Sequence, residues 1–257
     1  MQRVMLVKIG GQITDDPRKL QRVLGDFSRL PGPKLLVHGG GRVADSFLQK
    51  QGIVPRMAGG RRITDGPTLE VIQMVYAGLL NKNIVAGLQA LDCPAFGLSG
   101  VDGNAILAQK RPVADVDFGL VGDVQRVDAE LIKNFLELNL IPVFCALTHD
   151  GEGQILNTNA DTIASEIAAA LTPYYEVELF YLFDKRGVLR DPMQEDSTIS
   201  EITSESYRQL KEKNIIKEGM KPKMDTAFSA LKKGVGSVHL MRYDALGYPR
   251  QGTRVVL

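Results

Sequence analysis

The sequence predicts an α/β fold, with a mainly parallel open sheet sandwiched between helices in three layers and divided into two lobes. Apolar runs of strand length recur along the chain, and helical spacings of three and four fill most gaps between them. Two of the runs also break into glycines at their carboxyl ends. In open sheets of this kind, ligands gather at the carboxyl ends of the strands.

Residues 4–9 form the first apolar run, which ends in Lys8-Ile9-Gly10-Gly11. A helical pattern over 18–30 leads to the second run, 35–38, which ends in His38-Gly39-Gly40-Gly41 before a helix over 43–51. Without Cβ atoms, several backbone N–H groups can converge on one anion, and a following helix adds its positive dipole end. Either cluster alone also reads as a plain strand-to-helix turn, whereas the pair with Lys8 reads as a phosphate clamp. Residues 53–64 suggest a hairpin with Gly59-Gly60 in its turn and Arg61-Arg62 just beyond, a candidate lid. The helix over 68–91 carries Leu69, Ile72, Tyr76, Leu79 and Leu80, so it is either central core or a dimer interface. Strands follow at 95–98 and 141–146, with a helix over 129–138 between them and another over 162–171. An alanine-rich helix then gives way to a new strand, which divides the chain into lobes 1–172 and 173–257. The second lobe holds strands at 177–183, 235–241 and 253–257 and helices over 204–213 and 224–233.

With 31 Lys+Arg against 30 Asp+Glu, the net charge of +1 provides no general field for nucleic acid or an anionic membrane. A small molecule is the expected partner. Cys93 and Cys145 sit in apolar company, as buried thiols of a reducing compartment would. The first strand begins by Arg3, and no apolar stretch reads as long enough to span a bilayer, so the expected location is cytoplasmic.

Three later segments bear on chemistry. Asn157-Thr158-Asn159-Ala160-Asp161 stands at a helix start, where capping alone would explain it. Glu218-Gly219-Met220-Lys221-Pro222-Lys223 opens another helix. Lysines there oppose the dipole by ~0.3–1 kcal/mol, so they require solvation or an anion. Phe183-Asp184-Lys185-Arg186-Gly187 follows a buried strand, to bind a nucleotide or merely to turn the chain. Together these segments supply cations, backbone donors and orienting groups, the requirements of phosphoryl transfer. No hydroxyl-activating base stands out. A carboxylate acceptor would need none, since it is already ionised near neutrality. Neither the P-loop pattern nor the dinucleotide-binding glycine pattern is present.

In order and spacing these segments resemble the amino-acid kinases, and within them the N-acetyl-L-glutamate kinases. The resemblance covers nearly the whole chain. It is carried by the two glycine turns, Gly60-Arg61-Arg62-Ile63-Thr64, Leu98-Ser99-Gly100-Val101-Asp102-Gly103, Gly119-Leu120-Val121-Gly122-Asp123-Val124, the Asn157–Asp161 segment and Gly219-Met220-Lys221-Pro222-Lys223. It implies ATP-dependent phosphorylation of the side-chain carboxylate of N-acetyl-L-glutamate, on the way to arginine. Lys8 and Lys223 would then meet the transferred group from opposite sides, with Asp161 orienting both. Gly10, Gly11, Gly40 and Gly41 would donate backbone N–H groups, the second pair on the substrate side with Arg62 and Asn157, which would hold the amino-acid portion. Asp184, Gly187, Gly219 and Lys223 would serve the nucleotide, and Mg²⁺ would be held mainly by its phosphates. The nucleotide segment departs from the family pattern of Ser or Thr, then Asp-Val-x-Gly: Phe183 and Lys185 replace two of its members. With Lys8 already ending the first strand, the resemblance further implies an arginine-insensitive homodimer paired through the long helix. One rival keeps the reaction and exchanges acetyl for succinyl. A rival of another class is a catalytically silent nucleotide or amino-acid sensor.

Overall fold

A computed structural model describes residues 1–191, 193–213, 215–216, 220–248 and 251–257. Its main sheet has eight strands in the order β12 (Glu201–Ile202), β14 (Thr253–Val255), β13 (Ser237–Arg242), β11 (Glu176–Phe183), β1 (Arg3–Ile9), β2 (Lys34–His38), β8 (Ile141–Cys145) and β5 (Ala95–Leu98). All neighbours are parallel except β13 and β14. The expected three-layer α/β fold is what forms. Alternation along β1 shows why: Val4 and Leu6 enter one core, Met5, Val7 and Ile9 the other, and both faces are covered by helices. The break expected between residues 172 and 173 falls just before β11, whose pairing with β1 over Arg3–Ile9 joins both halves of the chain in one sheet.

The glycine clusters lie at the carboxyl ends of adjacent strands. Gly10 precedes the short helix α1 (Gly11–Thr14), after which Asp16 caps α2 (Pro17–Ser28) through the N–H groups of Arg18 and Lys19. Gly40 precedes α3 (Gly41–Lys50). The expected hairpin consists of β3 (Arg56–Ala58) and β4 (Arg61–Ile63), joined by Gly59 and Gly60 at φ 53° and 75°. Two successive positive φ values match the tight hairpin turn that glycines favour.

The long helix has three parts: α4 (Gly66–Gln73), a π-helical stretch (Met74–Leu80) and α5 (Asn81–Gln89). At 24 residues, Gly66–Gln89 is long and apolar enough to cross a membrane, which corrects the expectation that no such stretch exists. Leu69, Ile72, Val75, Tyr76, Ile84 and Leu88 are nevertheless buried, packed into both cores of the molecule.

A second sheet arises where sequence periodicity showed none, in the order β10 (Ile155–Asn157), β9 (Leu147–His149), β6 (Ile106–Lys110) and β7 (Gly122–Val127). The remaining helices are α6 (Ala129–Glu137), α7 (Ala160–Leu171), α8 (Ser204–Glu212) and α9 (Lys221–Lys232). Asn159 caps α7 through the N–H groups of Asp161 and Thr162. The β3–β4 hairpin, Asn157 of β10 and the start of α7 line one cavity with the glycine turns, and the hairpin tip, α7 and α9 line a second.

Candidate functional site

The two glycine turns lie close together: a Cβ on Gly11 would sit at ordinary contact distance, 3.5 Å from the Gly41 nitrogen and 3.7 Å from that of Arg42. Gly40 is closely packed: a Cβ there would fall 2.2 Å from Leu80 Cδ1 and 3.1 Å from the Tyr76 ring, so a neighbouring side chain would have to shift. Lys8, the penultimate residue of β1, reaches the same place from below and is buried.

Two cavities meet here. The smaller, about 220 Å³, is lined by Lys8, Gly11, Gly40, Gly41, Arg62, Asn157 and Asp161, seven of the expected site residues. The larger, about 1070 Å³, is lined by Lys221, Pro222, Lys223, Thr226, Glu166 and Asp161. Gly60, Arg61, Asn159 and Asp161 belong to both, so the hairpin tip and the start of α7 form their common rim.

Asp161 binds a lysine on each oxygen. Lys223 Nζ donates to Oδ2 at 2.6 Å, and Lys8 Nζ lies 2.5 Å from Oδ1. The Lys8 contact is an ion pair off the line of a well-directed hydrogen bond. Burial would raise the Asp161 pKa, but the two ammonium groups outweigh it and hold the carboxyl well below the usual carboxylate range. Burial dominates at Lys8. Aided by repulsion from Lys223 and opposed by Asp161, it lowers the ammonium pKa to about 8.

On the hairpin side, Arg62 is buried and its guanidinium is already held: Asp45 Oδ1 accepts from Nη1 at 2.5 Å, and the Gly41 carbonyl accepts from Nη2 at 3.2 Å. Asn157 donates to Thr64 Oγ1 at 3.0 Å, which ties β10 to the strand leaving the hairpin. Asp45, Thr64 and Tyr76 were missed from sequence because each acts on a site residue far along the chain. Arg111 was missed too. It lines the small cavity from just past the end of β6, paired with Asp123 of β7 and set over the Phe118 ring. Opposite charges on the two arms of a hairpin are a usable signal once the hairpin is recognised.

The expected nucleotide residues are less concentrated. Asp184 accepts from Lys19 Nζ at 2.7 Å. It reaches the glycine turns through Gln12, whose amide, oriented to suit its neighbours, donates to Asp184 Oδ2 at 2.5 Å and accepts from Arg42 at 2.8 Å. Gly187 packs under β14, where a Cβ would lie 2.6 Å from Thr253 Oγ1. Neither lines the two cavities. Gly219 lies outside the described residues.

Comparison with known proteins places the chain in a group. The model of the amino acid kinase family matches residues 3–242. An acetylglutamate kinase of Bacteroides thetaiotaomicron is 47% identical over 254 residues, covering 99% of this chain and 98% of that one. Another, of Phocaeicola vulgatus, is 49% identical over 245 residues, 95% of each chain. Among solved structures, smu.665 from Streptococcus mutans superposes with a TM-score of 0.80 at 24% identity, covering 98% of both chains.

Proposed function

The chain belongs to the amino acid kinase family, and from that premise we propose that it catalyses ATP-dependent phosphorylation of the side-chain carboxylate of N-acetyl-L-glutamate, in arginine biosynthesis. The observation that carries this reading is the Lys8–Asp161–Lys223 bridge at the junction of the two cavities. Acceptor carboxylate and nucleotide are both anionic, so the main obstacle to their approach is electrostatic. Lys8 and Lys223 flank the line of approach, and Asp161 keeps each ammonium in place until substrate charge competes for it.

In this proposal the acylglutamate occupies the smaller cavity. Gly40 and Gly41 donate to the reacting carboxylate, and Arg62 and Asn157 hold the amino-acid portion. The nucleotide occupies the larger cavity with its terminal phosphates toward Gly10, Gly11 and Lys223; Asp184, Gly187 and Gly219 serve its remaining parts. Lobe 1–172 thus binds acylglutamate, and ATP sits between it and α9 of lobe 173–257. The abutting glycine helix starts and the lysine pair suit a polyphosphate. Mg²⁺ would be held mainly by the nucleotide phosphates, whose charge it would neutralise; among the described residues no three His, Cys, Asp or Glu side chains group as ligands. The acceptor carboxylate attacks the terminal phosphorus in line, the bond to the ADP oxygen breaks, and no phosphoenzyme forms. We also propose that the enzyme is cytoplasmic and homodimeric.

Hydroxylamine trapping tests the reaction. A hydroxamate should form only with ATP, Mg²⁺ and acylglutamate together; ligand binding without ADP release would leave a sensor instead. One observation favours succinyl as a second reading of the acyl group. Arg61 and Arg111 both line the small cavity, where they would meet the additional carboxylate of a succinyl group. Comparing N-acetyl- and N-succinyl-L-glutamate in one ADP assay, with glutamate and aspartate as controls, decides between the two.

A further inference from the structure

His38 and Asn81 lie beneath the second glycine turn, fully buried and unused by the mechanism above. His38 ends β2, immediately before Gly39, and Asn81 begins α5, immediately after the π-helical stretch. His38 Nδ1 lies 2.8 Å from the Gly39 carbonyl oxygen. A carbonyl oxygen only accepts, so Nδ1 carries the proton and Nε2 presents a lone pair. Asn81 Nδ2 donates to that lone pair at 3.2 Å and to the Val143 carbonyl at 2.9 Å. Its oxygen accepts from Lys82 Nζ at 3.1 Å, which fixes the amide orientation independently. Even the neighbouring strand makes room: a Cβ on Gly97 would lie 1.8 Å from Asn81 Oδ1.

We infer that His38 and Asn81 are positioning residues that aim the Gly40 N–H into the substrate cavity. The inference rests on the proposed kinase reaction for its purpose, but its geometry is independent of it. The Gly39–Gly40 peptide is trans and planar, so its C=O and N–H point in opposite directions. Holding the carbonyl down on the buried imidazole therefore turns the Gly40 N–H away from it, toward the cavity that Gly40 lines. From the other side, Tyr76 and Leu80 of the π-helical stretch close the space beside Gly40, leaving no room for a Cβ. The same π-helical stretch thus packs beside the turn and leads directly into the amide that sets the histidine tautomer. A neutral ring is required, since an imidazolium would have no lone pair for Asn81. Burial and the nearby Lys8 and Lys82 charges keep it neutral, against the pull of the Gly39 carbonyl.

Long-range ¹⁵N–¹H spectra of the whole protein test the inference directly. Between pH 6 and 8, His38 should show the neutral tautomer protonated on Nδ1. An Nε2-protonated ring, or one titrating in that range, overturns the proposal whether or not any variant folds. Asn81→Ala should mix the tautomers, shift the Gly40 amide resonance, and lower kcat about tenfold while KM for N-acetyl-L-glutamate stays within about threefold. A lower melting temperature with kcat per folded enzyme unchanged would make the pair merely structural and refute it. Absence of turnover in the parent protein would instead refute the kinase reading, leaving the tautomer and the Gly40 resonance to decide the positioning claim.

Discussion

Lys8 is where burial and charge conflict most sharply, and the conflict is measurable. Its pKa, lowered from 10.5 to about 8, means the folded protein binds fewer protons than the unfolded chain between those values. Ionised Lys8 therefore costs stability below pH 8, and that cost disappears as pH rises through the window. Activity should move the opposite way if the ammonium is the working form. The kcat/KM for ATP is expected to fall with an apparent pKa near 8 while the melting temperature loses nothing through this group. In Lys8→Arg, any remaining activity should lack that alkaline limb; an unchanged limb would assign it elsewhere. Asp161 has the reverse sign. Its depressed pKa contributes stability above the ordinary carboxylate range, lost as pH falls through the folded value. Asp161→Asn leaves two mutually repelling ammonium groups and should cost about 3 kcal/mol, with at least ~100-fold in kcat. Turnover within a few-fold of the parent would reduce Asp161 to a structural group.

Among the elements, the π-helical stretch is the least expected and has the clearest mechanical effect. Gly40→Ala would place a methyl group 2.2 Å from Leu80 Cδ1, an overlap that should cost about 1–3 kcal/mol and most of the activity. Adding Leu80→Ala removes the obstructing atom. In a double-mutant cycle of denaturation midpoints, the pair should therefore recover about 1 kcal/mol relative to the sum of the single effects; simple additivity would mean that the turn yields elsewhere. The helix itself was legible from Leu69, Ile72 and Tyr76 at helical spacing, but its π register was not, because a seven-residue π stretch leaves no distinct mark on the spacing of apolar residues. The second sheet was hidden for a related reason. Its β9 and β10 have three residues each, too short for periodicity to register, and β7 mixes Asp123, Gln125 and Arg126 with its valines. Strand-then-glycine punctuation, by contrast, is a local signal, and Lys8, Gly11, Gly40 and Gly41 came together as expected. Arg62 and Asn157 also reached the cavity, while the partners that hold them, Asp45 and Thr64, could be found only in three dimensions.

At the scale of the whole molecule, the question is whether one chain is sufficient for the chemistry. The lysine pair, the glycine turns, Arg62 and Asn157 all line cavities built within a single chain. The proposed dimer would use the outer side of the Gly66–Gln89 helix, where Met74 and Leu79 are exposed apolar residues opposite the buried Tyr76 and Leu80. Large exposed side chains on a helix whose other face is core suit a subunit contact. Light scattering during size exclusion should give twice the 28.1 kDa chain mass, and Met74→Glu with Leu79→Glu should halve it by burying like charges against each other. Both residues lie on the π-helical stretch that packs beside Gly40, so separating the subunits also tests what holds the turn. Tyr76 and Leu80 belong to the same core as Leu35, Val37 and Phe144, and that packing does not depend on a second chain. The separated chain should therefore retain kcat within about threefold, because its shared face is outside the reacting geometry. A loss of more than tenfold with the fold intact would show that the partner, and not the core alone, keeps Tyr76 and Leu80 against the glycine turn.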